Sequence, residues 1–112
     1  MKTLTLTLDL KDLKLGDVDK DKTDIEICTQ VIKNVILNWG MSGQRRGLDE
    51  ESRRKFYKIS DAFDKAIADK TPTIELDDDW MGLIRKCFRE TDLIPDKLLR
   101  QVEERIAEVK DR

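Results

Sequence analysis

Histidine is absent from this 112-residue chain. That removes the commonest general base, the usual activator of a serine or cysteine nucleophile, and the ligand that completes a mixed zinc site. Cysteine is scarce. Cys28 and Cys87 each stand inside an apolar helical pattern with no close cysteine partner, so they read as buried, reduced thiols. No apolar run approaches the ~20 residues that cross a bilayer, and Met1-Lys2 leads into alternating Thr and Leu rather than a signal-peptide core. The expectation is a cytoplasmic protein without a membrane partner. A surplus of positive charge is also missing: 22 Lys and Arg face 24 Asp and Glu, for a formal net charge of −2. A dedicated duplex binder would show a basic excess, although local basic patches stay open.

Charged residues make up 41% of the chain and hydrophobic residues 38%, and the apolar residues are periodic rather than sparse. Such a chain folds, and its length suits one domain spanning 1–112. Lys2-Thr3-Leu4-Thr5-Leu6-Thr7-Leu8-Asp9-Leu10 alternates polar and apolar residues, which predicts a strand with its leucines on one face. Lys11-Asp12 offers a turn into a short second strand around Leu13-Lys14-Leu15, ended by Gly16-Asp17. Such a hairpin needs helices to cover its leucine face.

Thr23-Asp24-Ile25-Glu26 fits a capping box and predicts the first helix start. Ile25, Cys28, Val31, Ile32, Val35, Ile36 and Trp39 follow at helical spacing, and Gly40 offers a left-handed cap. Gly40 to Gly47 holds three glycines in eight residues and reads as a connection. A second helix is predicted from Leu48 or Asp49 to Ala68, with Phe56, Ile59, Phe63 and Ile67 on its apolar stripe and Asp49, Glu50 and Glu51 favouring its dipole. Thr71-Pro72 breaks the pattern, and Thr73-Ile74-Glu75-Leu76 is available as a further strand against the N-terminal one. Asp77, Asp78 and Asp79 open a third helix with Trp80, Leu83, Ile84, Cys87 and Phe88 on its apolar side. A fourth follows Ile94-Pro95-Asp96 and carries Leu98, Leu99, Val102, Ile106 and Val109. The fold class is therefore α+β: an N-terminal hairpin, with or without a third strand at 73–76, packed on about four helices.

Several short phrases recur together. They are Leu8-Asp9-Leu10-Lys11-Asp12-Leu13, Ile36-Leu37-Asn38, Gly47-Leu48-Asp49-Glu50, Lys55-Phe56-Tyr57-Lys58-Ile59, and Ile74-Glu75-Leu76-Asp77-Asp78-Asp79 leading to Leu83-Ile84. In that order they resemble small proteins without assigned activity encoded by tailed bacteriophages and integrated prophages, over most of the chain. The resemblance implies a phage-encoded accessory protein in a bacterial cytoplasm, and it transfers no active-site residue. The charged run Asp17 to Lys22 after Gly16 departs from the simple hairpin of that layout.

Candidate sites are few. Asp17, Asp19 and Asp21 copy the first ligand spacings of a calcium loop, but Lys22 stands at the obligatory glycine and Cys28 at the bidentate glutamate. Glu75 with Asp77 to Asp79 reads as helix-start charge rather than a magnesium site. The glycine-rich loop lacks the Gly-Lys-Ser/Thr ending of a phosphate loop, so no metal, cofactor or catalytic group is expected. Gln44, Arg45 and Arg46 on that loop, with Arg53, Arg54 and Lys55 beyond it, form the expected partner-binding surface. The first expectation for its function is protein–protein contact with a phage or host bacterial protein, in assembly or in modulating a host factor. The alternative is a nucleic-acid-binding regulator that uses the same cations on phosphates. The Thr3–Asp9 edge is also available for pairing with a second copy.

Overall fold

A computed structural model describes residues 2–9, 23–42 and 47–109. Its elements run β1 (Lys2–Thr5), α1 (Asp24–Gly40), α2 (Glu50–Asp69), β2 (Thr73–Leu76), α3 (Asp78–Glu90) and α4 (Lys97–Ala107). This is the expected α+β class, with four helices and the strand at 73–76.

The two strands pair antiparallel, with Lys2 opposite Leu76 and Leu4 opposite Ile74. The sheet thus joins the chain's start to the segment between α2 and α3. The expected hairpin partner around Leu13–Leu15 lies outside the described residues. Alternation persists beyond the strand: Leu4, Leu6 and Leu8 are all buried. The ladder stops near Pro72, which has no N–H to give, and Leu6 N–H still donates to the Pro72 carbonyl at 2.8 Å. Past that point side chains hold the backbone. Leu8 N–H donates to Asp24 Oδ2 (3.2 Å), Arg105 Nε donates to the Thr7 carbonyl (2.8 Å), and Gln101 bonds both the N–H and the carbonyl of Asp9. The strand expected over Thr3–Asp9 is therefore shorter, and its second half is bound to α4.

Local chemistry accounts for the helix starts. Thr23 Oγ1 accepts from Glu26 N–H, Asp49 from Ser52 N–H and Asp96 from Leu99 N–H, at 3.3, 2.7 and 2.6 Å. Pro95 stands one residue outside that last cap. α1 is the central helix, buried along Ile25, Cys28, Ile32, Val35, Ile36 and Trp39, and also at Ile27 and Thr29. Thr29 is tolerated there because its hydroxyl donates to the Glu26 carbonyl at 2.9 Å. Ile59 and Phe63 of α2, Met81 and Ile84 of α3, and Val102 and Ile106 of α4 complete one core with the leucines of the N-terminal segment.

Gly40 corrects one expectation. It is the last residue of α1, not a left-handed cap, and Met41 follows it in right-handed geometry. Its value is space: a Cβ there would stand 2.8 Å from Leu48 Cδ2. The positive φ falls on Gly47 instead (129°), whose N–H donates to the Gly40 carbonyl at 2.8 Å and ties the two ends of the connection together. No helix among the described residues is long and apolar enough to cross a membrane.

Candidate functional site

Two anchors fix the antiparallel α1–α2 pair. Lys33 Nζ lies 3.3 Å from Asp64 Oδ1, and Gly40 abuts Leu48 at the other end. Helical spacing then orders the surface between them. Leu37 and Met41 lie one and two turns on from Lys33, and Tyr57 lies two turns back from Asp64, so all three share the side that the ion pair marks. Each is exposed: Leu37 by 46%, Met41 by 67% and Tyr57 by 57%. They make up three of the four large hydrophobic side chains exposed among the described residues. Tyr57 is steadied by Phe56, whose ring centre is 6.3 Å away at a tilt of 56°, while Phe56 itself packs against the core.

The six residues expected to bind a partner divide at this point. Gln44, Arg45 and Arg46 lie outside the described residues. Arg53, Arg54 and Lys55 occupy the first turns of α2 and, being consecutive, point in three directions about 100° apart. Arg54 Nη2 meets Glu50 Oε1 at 2.6 Å, and Lys55 Nζ meets Glu51 Oε1 at 3.2 Å. Both carboxylates sit one turn earlier on the same helix, so these two cations are compensated where they stand. Arg53 makes no ion pair among the described residues, and its i+4 neighbour is Tyr57. Helical spacing therefore puts Arg53 on the same side of the pair as Leu37, Met41 and Tyr57, while Arg54 and Lys55 pair back to the acidic first turn.

Sequence reasoning missed the apolar members of this surface. The signal was available, because Leu37 falls off the Ile25-to-Trp39 stripe and Tyr57 falls off the Phe56-Ile59-Phe63 stripe. An apolar side chain that helical spacing turns away from the core is the informative kind. The other aromatic groups serve packing, as expected. Trp39 and Phe63 are buried, Trp80 and Phe88 pack against the core, and Lys86 Nζ lies 5.6 Å from the centre of the Trp39 ring.

Among the described residues no group of three or more Cys, Asp or Glu side chains is placed to hold a metal ion. Asp17, Asp19 and Asp21 lie outside those residues, while Asp77 is the N-cap residue of α3 and Asp78 and Asp79 sit in its first turn. The fold and this surface define a small α+β domain with an apolar-and-arginine face at one end of a helical pair. No protein-family model, curated protein or solved structure matches the chain.

Proposed function

We propose that this is a protein-binding module that docks a partner on the α1–α2 end, through Leu37, Met41, Tyr57 and Arg53. The observation that carries the reading is the exposure of those three apolar side chains on one side of the pair. Soluble surfaces scatter single apolar residues, whereas a grouped set with an arginine at its rim has the composition of an interface centre. The phage setting, the cytoplasmic location and a phage or host bacterial partner are supported by the order of short phrases along the chain, and they belong to the same proposal.

The nucleic-acid alternative is less favoured because of the ion pairs on α2. A phosphate drawn to Arg54 or Lys55 also meets Glu50 or Glu51. The exposed pairs contribute only about 0.3–0.5 kcal/mol each and are easily broken, but the carboxylates remain beside any anion that arrives. The test is the variant Leu37→Ser/Met41→Ser/Tyr57→Ser, which removes exposed groups and should leave the melting temperature close to that of the parent. It should lose at least about tenfold in affinity for the partner, as removal of interface anchors does. Undiminished partner binding would reject this surface, and a salt-dependent gel shift abolished by Arg53→Glu/Arg54→Glu would reject the proposal in favour of the regulator.

A further inference from the structure

We infer that the outer edge of β2 is a second docking site, which takes an extended segment of a protein partner with lysine or arginine alternating with apolar residues. The strand register and one hydrogen bond fix which backbone groups that edge offers. Leu6 N–H donates to the Pro72 carbonyl at 2.8 Å, and residues 6 and 72 continue the frame that sets Leu4 opposite Ile74 and Lys2 opposite Leu76. Bonded pairs alternate with unbonded ones in an antiparallel ladder. The even-numbered pairs therefore hold the two strands together, and the N–H and carbonyl groups of Thr3, Thr5, Thr73 and Glu75 point away from the partner strand. The two edges then differ. Along β1 the same alternation carries on to Thr7 and Asp9, whose outward groups are met by Arg105 and Gln101 of α4. Along β2 no hydrogen bond from a described residue reaches the outward groups of Thr73 or Glu75, and both residues are exposed. A strand edge in this state is a template for a further strand.

The side chains select the occupant. Leu76 is buried and Ile74 packs against the core, so Thr73 and Glu75 share the opposite face of the strand. Every charged residue from 73 to 79 is acidic: Glu75, Asp77, Asp78 and Asp79, all of them exposed. Asp77 is the N-cap residue of α3, yet its side chain makes no cap hydrogen bond, so the helix start does not use up its carboxylate. The cations nearest in the chain and the ladder are Lys70, beside Asp69 at the end of α2, and Lys2, on the far strand opposite Leu76. Neither stands on the outer edge. An incoming strand sets one of its side chains beside Glu75, where a cation is favoured and an acid is not. Its alternate side chains fall beside half-buried Ile74, where an apolar group is favoured. A second copy of β2 would bring the same four acids to the edge, so charge argues for a different, basic chain. Backbone pairing then supplies the affinity and the alternating side chains the specificity. The edge belongs to other elements than the α1–α2 end, so the two readings stand or fall separately.

The test uses the intact chain and a fluorescein-labelled synthetic peptide of about eight residues, a usual strand length, that alternates valine and lysine. Fluorescence anisotropy at low ionic strength should show saturable binding. Methylating the backbone nitrogens of the peptide's lysines removes the N–H groups that an antiparallel strand offers to Thr73 and Glu75. It leaves the charge unchanged and should abolish binding. Glu75→Lys alters one exposed side chain, so it should keep the parent's melting curve. It should also weaken binding about fivefold or more and favour the matching peptide that carries glutamates in place of lysines. Replacing Glu75 removes the central attraction, so chains altered at that position should not recruit the segment. Any of five results would overturn the assignment. These are no saturable binding by the parent, equal binding of the lysine and glutamate peptides, binding unchanged by backbone methylation, a parent dimer that the peptide dissociates, and loss of binding in Leu37→Ser/Tyr57→Ser with normal binding in Glu75→Lys.

Discussion

Cys28 sits fully buried near the start of α1. Burial pushes its thiol from the ordinary 9.0 up to about 12, with the Arg105 charge opposing the shift and the Asp24 carboxylate adding to it. The folded protein holds this proton more tightly than the unfolded chain does. The resulting stability is complete below pH 9 and is lost as pH climbs from there toward 12. Urea unfolding across that window should show a steeper fall for the parent than for Cys28→Ala, and equal slopes would mean that the thiol is solvated. Thr91 presents the opposite defect, a buried hydroxyl with no hydrogen-bond partner among the described residues, at the end of α3. Replacing it with valine keeps the shape and removes an unsatisfied group. Thr91→Val should therefore raise stability by about 1 kcal/mol, and a loss in chemical denaturation would show that the hydroxyl is bonded.

At the scale of elements, the end of α2 holds the one non-glycine residue with positive φ among the described residues. Lys70 caps that helix in left-handed geometry (φ 53°, ψ 40°), and its N–H donates to the carbonyls of Ala66 and Ile67. A residue with a Cβ is penalised there and glycine is not, so Lys70→Gly should stabilise the fold by about 1 kcal/mol. A lower melting temperature would contradict that account. Caps and stripes made the helices legible: Thr23, Asp49 and Asp96 announce starts, and the apolar spacing of α1, α3 and α4 identifies the buried faces. The strand at 73–76 was legible from Ile74, Leu76 and the break at Thr71-Pro72. Its pairing with the N-terminal strand was open to the sequence as well, whereas the antiparallel register that sets Lys2 opposite Leu76 was not, because a contact between residues so far apart in the chain leaves no local pattern. Gly40 misled for a similar reason. A glycine after Trp39 looks like a cap, and only the approach of Leu48 shows that it is needed for room.

For the molecule as a whole, α1 organises the fold, with every other helix packed against it. Its α1–α2 end carries three of the exposed apolar side chains, Leu37, Met41 and Tyr57. Half of the expected site was visible as a run of cations, Arg53 to Lys55. That Glu50 and Glu51 neutralise two of them follows from i,i+4 spacing, whereas the grouping of Leu37, Met41 and Tyr57 depends on the Lys33–Asp64 register, which is tertiary. The claim that this end meets a protein is tested most directly by placing a photoreactive benzophenone amino acid at position 57 and, separately, at position 75, then irradiating living bacterial cells that contain the partner. Glu75 is exposed on β2 and serves as the control. A discrete protein adduct at position 57, absent at 75 and lost when Leu37 and Met41 are serine, is the predicted result. Adducts of equal intensity from both positions, or a nucleic-acid adduct at 57, would contradict it.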